Sequence, residues 1–186
     1  MKCQHMARNE HPKGVIVRGV ADADVDALAR IYNHYVTQTI ITFEEEVVTA
    51  AEISRRIADV QLASLPWLVA ERGNAVVGYA YATKWRARQA YRFSTEVTVY
   101  VAPELAGGGI GSLLYGELLS ALRARNIHAA MGGIALPNDA SVALHEKFGF
   151  KKVAHFEEVG FKFNQWIDVG YWQCNLKVEG SNRPQE

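Results

Sequence analysis

The stretch TVYVAPELAGGGIGSLLYGELLSAL, residues 98–122, joins a strand-like run to a helix-like run through a loop that is mostly glycine. Glycine loses more backbone freedom on folding than any other residue, so such a loop needs a compensating use. The first N–H groups of a helix have no partner within it and carry the positive end of its dipole. The loop therefore predicts a cradle for a diphosphate, with a tight strand-to-helix turn as the structural alternative.

The glycine loop departs from two common nucleotide-binding patterns. A P-loop carries lysine before its serine or threonine, whereas Ser112 here follows Gly111 directly. A dinucleotide site places its glycines after the first strand, whereas these glycines come past mid-chain, after a predicted antiparallel region. Both nucleotide-binding classes are disfavoured.

Composition predicts one globular domain. The chain has 186 residues, 49% of them apolar, and its 20 basic residues balance 20 acidic ones. This charge balance disfavours nucleic acid as a partner. Cys3 and Cys174 form neither a disulfide framework nor a metal-ligand spacing, so we predict no metal. The sequence has neither a bilayer-length apolar run nor a secretory signal, which predicts a cytoplasmic protein that does not bind membranes.

The hydrophobic pattern predicts a mixed α/β fold, with antiparallel hairpins early and a strand–helix–strand unit in the middle. We predict a flexible leader at 1–13, a single domain at 14–176 and a flexible tail at 177–186. The predicted strands are 14–20, two within 66–85 around a Gly73-Asn74 turn, 92–102, 128–136, 151–163 and 165–176. The predicted helices are 22–36, begun by Asp22 or Asp24, 49–60 with a Thr49/Glu52 capping box, 110–125, and 138–148 capped by Asn138.

Two separated segments resemble the GCN5-related N-acetyltransferase (GNAT) family. The run Ala106–Gly111 matches its loop Arg/Gln-x-x-Gly-x-Gly/Ala, with Ala106 in place of the usual arginine or glutamine. The segment NDASVALHEKFGF, 138–150, matches its later Asn-x-x-Ala/Ser…Gly-Phe segment. The resemblance implies a mostly antiparallel central sheet with a β–α–β core that binds acetyl-CoA as co-substrate. The implied cofactor-binding residues are Val99, Tyr100, Val101, Gly107, Gly108, Gly109, Ile110, Gly111, Ser112, Asn138, Ser141 and Lys147.

From about residue 15 to 176 the chain looks like the phosphinothricin acetyltransferase branch, which includes acetyltransferases of methionine sulfone and methionine sulfoximine. The resemblance rests on 42–46, 85–101, 136–150 and 159–173. It implies a homodimer, with Glu96 and His145 as the catalytic residues that handle protons. The implied substrate-binding residues are Glu44, Glu46, Arg86, Arg88, Tyr91, Val97 and Thr98.

Elementary chemistry is compatible with both catalytic roles. An α-amino group titrates near about 7.7–8.0, so a modest base such as Glu96 suffices; a solvated strand carboxylate is the alternative. His145 follows Asn138 by seven residues, about two helical turns, and so lies on a similar side of the helix. An imidazole donates or accepts a proton near neutral pH, and the direction stays open. The alternative for His145 is a helix histidine bonded to a backbone carbonyl.

The remaining candidate residues also have structural alternatives. Arg86 and Arg88 suit carboxylate or phosphinate recognition, but exposed arginines are commonly just solvated. The segment FEEE, 43–46, holds an amino group or is an exposed acidic loop, and Lys147 binds the CoA phosphates or is a surface charge. The aromatic residues of the last strand are predicted to form core or dimer surface: Trp166, Tyr171 and Trp172.

The function predicted from these residues is acetyl transfer from acetyl-CoA to the amine of a small amino-acid-like substrate, the enzyme's small-molecule partner. Since no cysteine lies in the predicted site, the amine attacks the thioester directly in a ternary complex. Backbone N–H groups around Val99–Val101 are predicted to hold the thioester oxygen. Two alternatives stay open: acetylation of a protein N-terminus or lysine, and a non-catalytic acyl-CoA-binding module.

Overall fold

The computed structural model describes residues 12–176, so most of the predicted leader at 1–13 and all of the predicted tail at 177–186 lie outside the described residues. The predicted order of elements is confirmed. The strands are β1 Val15–Gly19, β2 Trp67–Arg72, β3 Ala75–Lys84, β4 Ser94–Val101, β5 Ala129–Leu136, β6 Lys151–Lys162 and β7 Gln165–Asn175. The α-helices are α1 Val25–Gln38, α2 Ala50–Leu62, α3 Ile110–Ala124 and α4 Asp139–Lys147.

All seven strands form one sheet in the order β1-β2-β3-β4-β5-β7-β6. Every neighbouring pair is antiparallel except β4 and β5, which are parallel and are joined through α3. The mostly antiparallel sheet with a central β–α–β unit is thus confirmed. No helix within residues 12–176 is long and apolar enough to cross a bilayer.

The parallel pairing of β4 with β5 is short and positions the site. It runs only from Ser94 opposite Ala129 to Glu96 opposite Met131. Beyond that point β4 pairs with β3 alone and β5 with β7 alone, so the two strands separate. Their facing backbone groups therefore lack a strand partner within the described sheet. The result is a V-shaped cleft with Glu96 at its apex.

The sheet has one core cluster on each face. Leu114, Leu118 and other α3 side chains pack with Val97 on one face. Side chains of α1 and α2, among them Leu28, pack with Tyr100 on the other face. Because side chains alternate along a strand, Glu96 and Thr98 share the α1/α2 face with Tyr100, and Val97 points the opposite way.

Two helix starts have the predicted cap residue: Thr49 accepts the N–H of Glu52 at 3.2 Å, and Asn138 accepts the N–H of Ser141 at 3.1 Å. The predicted capping box at Thr49 is only half formed, because the Glu52 carboxylate binds Arg55 and Arg56. Asp24 precedes α1, but its carboxylate makes no side-chain cap there. It binds the Arg18 guanidinium at 2.7 and 2.8 Å instead, so the predicted cap is replaced by a partly buried ion pair.

Candidate active site

A cleft of about 540 Å³ lies on the β4 side of the V, where Val99–Val101 line it. It is bounded by β4, the glycine loop, the first turn of α3 and the outer side of α4. Of the predicted cofactor-binding residues, those that line it are Val99, Tyr100, Val101, Gly107, Gly109, Gly111, Ser112, Asn138, Ser141 and Lys147. The structure therefore brings together two segments that are separate in sequence, the glycine loop and the start of α4.

The glycine loop presents backbone donors at the start of α3. Gly107 and Gly109 have φ of 79° and 82°, which side chains disfavour, so glycine is needed at both positions. Leu113 is the first residue of α3 whose N–H makes a helical hydrogen bond: it donates to the Gly109 carbonyl at 3.1 Å. The N–H groups before Leu113 in the first turn have no intrahelical acceptor. This arrangement fits the predicted diphosphate cradle.

Two predicted cofactor-binding residues lie outside the cleft lining. Gly108 uses its N–H in a turn, donating to the Leu105 carbonyl at 3.2 Å. Ile110 is buried against the sheet with the other apolar residues of α3. A side chain at the first helical position points inward, and the loop pattern alone does not reveal this.

The lining also contains residues that the motifs miss. Tyr35 of α1 lines the cleft and donates its hydroxyl to the Val101 carbonyl at 2.6 Å. Ile41 reaches the cleft from the connection between α1 and α2. At the opposite wall, Lys147 of α4 donates to the Ser112 hydroxyl of α3 at 3.1 Å, which places a cation beside the glycine loop.

Glu96 stands at the apex of the V on the α1/α2 face. A Cβ added to Gly133 would lie 3.1 Å from the Glu96 Oε1 and 3.2 Å from the Tyr171 ring, so both side chains occupy the space above that glycine. Burial raises the pKa of the Glu96 carboxyl, and the positive charge of Arg86 opposes this shift. Tyr171, which the sequence pattern predicts to be core or dimer surface, therefore lies beside the Glu96 carboxylate.

His145 lies on the other face of β5. Its ring packs edge-on against Tyr115 and Phe150 and lies so close to Gly132 that a Cβ there would overlap it. Because a carbonyl only accepts hydrogen bonds, the 2.7 Å contact with the Ser141 oxygen puts the proton on Nδ1.

The remaining nitrogen of His145, Nε2, is buried and has no partner among the described residues. Burial lowers the pKa of His145, so the imidazole is neutral at pH 7. Glu96 and His145 are thus not in contact: they flank β5 from opposite faces, at Gly133 and Gly132.

The predicted substrate-binding residues fall into two groups. Arg86 is exposed and stacks on Trp85 at 4.6 Å, and Arg88 and Tyr91 are exposed beside it. Across residues 12–176, no carboxylate lies within ion-pair distance of either arginine. Both guanidinium groups can therefore bind an anionic substrate. Thr98 shares the face of Glu96.

Two other predicted substrate residues, Glu44 and Val97, are held away from Glu96 by the fold. Glu44 is tied to Arg56 at 2.7 Å and accepts the Tyr32 hydroxyl at 3.1 Å, whereas Glu46 is exposed. The Val97 side chain is buried on the α3 face, where it cannot reach a substrate beside Glu96.

Comparison with known proteins decides the family. The acetyltransferase (GNAT) domain family matches residues 17–170. The chain belongs to this family. A phosphinothricin N-acetyltransferase of Streptomyces coelicolor is 41% identical over 176 residues, covering 87% of this chain and 96% of that protein.

An L-methionine sulfoximine/L-methionine sulfone acetyltransferase of Salmonella typhimurium is 34% identical, covering 86% of this chain and 94% of that protein. A Sinorhizobium meliloti GNAT phosphinothricin acetyltransferase, solved in complex with AcCoA, superposes with a TM-score of 0.89 at 32% identity. That match covers 93% of this chain and 94% of the other. The predicted resemblance is confirmed, and so is the enzyme class: the chain is an acetyl-CoA-dependent N-acetyltransferase.

Proposed function

We propose that this GNAT enzyme acetylates the α-amino group of a small amino-acid-like substrate such as phosphinothricin, methionine sulfone or methionine sulfoximine. The observation that carries the proposal is the end of β4–β5 pairing at Glu96, because it puts a partly buried carboxylate where the two strands part, on the strand whose next residues, Val99–Val101, line the glycine-loop cleft. The named activities of the S. coelicolor and S. typhimurium relatives support this substrate class. The reaction needs no metal and takes place in the cytoplasm.

In this mechanism acetyl-CoA lies along the V, with its diphosphate on the glycine loop and its thioester near the apex. The substrate amine, once deprotonated, attacks the thioester carbon and forms a C–N bond. Unpaired N–H groups of β4 around Val99–Val101 stabilise the oxyanion. The C–S bond then breaks, and CoA leaves as a thiolate that takes up a proton.

Two protons leave the nitrogen during this reaction, one from the ammonium and one after attack. Glu96 takes a proton on the α1/α2 face, because its raised pKa makes it a stronger base than an ordinary glutamate. His145 is the second acceptor: it is neutral, and its Nε2 lone pair has no partner among the described residues.

The remaining polar groups of the acceptor substrate bind outside the apex of the V. Arg86 and Arg88, with Tyr91, hold its carboxylate and its phosphinate or sulfone. Glu46 attracts the ammonium, whereas Glu44 holds the loop through Arg56. Thr98 lines the same face as Glu96.

Replacing Arg86 tests the acceptor site. For Arg86→Gln we expect the KM for methionine sulfone to rise about tenfold or more, because one charge-assisted hydrogen bond is lost. The KM for acetyl-CoA stays unchanged, since the cofactor cleft does not include this residue. Arg92→Gln is the matched control: it is exposed and stacks on Phe93 in the same stretch.

The overall function is tested by release of CoA thiol from acetyl-CoA by the purified enzyme, with the product identified by mass. Phosphinothricin, methionine sulfone and methionine sulfoximine are the test acceptors; peptides with a free N-terminus or lysine form the second arm. We expect turnover with at least one amino-acid analogue and little with the peptides. Turnover with peptides alone contradicts the proposed substrate class.

We also propose that the enzyme is a homodimer. The β6–β7 hairpin exposes apolar side chains on the outside of the sheet, with Trp166 62% and Val159 60% exposed. Phe161 and Phe163 are about half exposed beside them. An apolar patch of this kind is typical of an interface. Sedimentation of the purified chain at the monomer mass contradicts this assembly.

A further inference from the structure

The connection between α1 and α2, residues 39–48, contains neither helix nor strand; we call it the strap. It begins where Tyr35, in the last turns of α1, donates its hydroxyl to Val101 at the end of β4. The Thr39 hydroxyl then donates to the Tyr35 carbonyl at 2.8 Å, and Ile41 lines the cofactor cleft. The strap therefore starts at the β4 side of the wide end of the V.

Two side chains of α1 hold the near side of the strap. The Tyr32 hydroxyl is 2.8 Å from the Thr42 hydroxyl. The Asn33 side chain binds both backbone groups of Val48, accepting its N–H at 2.7 Å and donating to its carbonyl at 2.9 Å. These contacts fix the strap to α1, the helix that precedes it. They do not connect it to the far side of the cleft.

Lys162 and Phe43 make the connection to the far side. Lys162, at the end of β6, donates its ammonium to the Thr42 carbonyl at 2.7 Å and is only 1% exposed. Beside it the Phe43 ring packs on Gly160, where a Cβ would overlap the ring. In the sheet order β6 lies three strands beyond β4, roughly 14 Å at ordinary strand spacing. The strap thus reaches from the β4 wall of the V to the strand at the far edge.

We propose that Lys162 is a positioning residue for acetyl transfer: it holds the strap over the acceptor side of the cleft. This inference rests on the proposed function, because the acceptor lies between the strap and Glu96. A buried ammonium is unfavourable unless it is hydrogen-bonded, and here the bond goes to the main chain of the strap itself. Burial lowers the pKa of Lys162, whereas Glu45 and Glu44 of the strap favour its charged form.

The test variant is Lys162→Met, which keeps the apolar stem and removes the donor. We expect the KM for methionine sulfone to rise about tenfold, with kcat and the KM for acetyl-CoA changed less than about twofold. Amide hydrogen exchange in residues 39–48 accelerates in the same variant. Lys151→Met is the matched control, since Lys151 is an exposed lysine on the same strand.

A second variant guards against a folding defect. Phe43→Ala removes the ring from Gly160 without touching the buried lysine, and Phe43 is 42% exposed, so the fold tolerates the change. We expect the same rise in acceptor KM and the same faster exchange. Unchanged acceptor KM and unchanged exchange in both variants overturn the inference. If the wild type acetylates none of the three amino-acid analogues, the proposed substrate class fails, and exchange in residues 39–48 still decides whether Lys162 holds the strap.

Discussion

Glu96→Gln lowers turnover about 10²–10⁴-fold and leaves acetyl-CoA binding unchanged, because the variant keeps the shape of the site and loses the proton acceptor. The same change raises the thermal midpoint. Burial raises the pKa of Glu96 in the folded chain, so at neutral pH the ionised carboxylate destabilises the fold. That penalty is absent in acid, where the folded and unfolded chains are both protonated at this position. Glutamine removes it at neutral pH.

Steady-state kinetics and thermal unfolding at several pH values measure both effects. In the wild type, kcat/KM rises with pH as Glu96 loses its proton. Because the pKa of Glu96 is raised, this rise occurs at a higher pH than for an ordinary glutamate. We expect the rise to be absent in Glu96→Gln. Glu117→Gln, at an exposed carboxylate of α3, is the control for the loss of one negative charge. Equal turnover in Glu96→Gln and wild type removes Glu96 from the chemistry.

Gly132→Ala is expected to displace His145. The new Cβ would overlap the imidazole at Nε2, and the ring is enclosed by Tyr115 and Phe150, so it cannot move without disturbing the core. Overpacking of this kind costs about 1–3 kcal/mol. We expect the thermal midpoint to fall by several degrees and turnover to fall about tenfold or more, because the second proton acceptor leaves its position.

Gly116→Ala separates this effect from a general response to an added methyl group. Gly116 lies within α3, and a Cβ there would make ordinary contact with Phe148 at 3.6 Å, so we expect unchanged turnover and equal or higher stability. The imidazole proton resonances of His145 report its displacement directly. Wild-type stability and turnover in Gly132→Ala would show that the imidazole is not held against β5 as described.

Local sequence signals predicted the secondary-structure elements well. The glycine loop, the Asn138 cap and the apolar stripes of the helices are short-range patterns, and each forms where its pattern indicates. Glu96 reaches the apex of the V because β4–β5 pairing stops there. The length of that pairing is a tertiary property, and the sequence of β4 does not contain it.

Long-range register explains what the sequence missed. Tyr171 lies beside Glu96 because β7 pairs antiparallel with β5 and sets Tyr171 opposite Gly133. Val97 and Glu96 point to opposite faces of the sheet because they are adjacent on one strand. The sequence alone could have predicted this. The sequence could not predict that Glu96 and His145 lie on opposite faces of β5, because this depends on how α4 packs against β5.

The central claim is that acetyl-CoA binds in the V between β4 and β5. Calorimetric titration of acetyl-CoA into the wild type and into Gly111→Leu tests it most directly. A Cβ at Gly111 would make ordinary contacts, at 3.7 Å from Val101 and from Leu144, and both of these residues line the cleft. Gly111 does not have the positive φ that side chains disfavour, so leucine there adds bulk beside the cleft lining. We expect one molecule bound per wild-type chain and binding at least about tenfold weaker in Gly111→Leu. No heat with wild type, or equal affinity in the two proteins, places the coenzyme elsewhere.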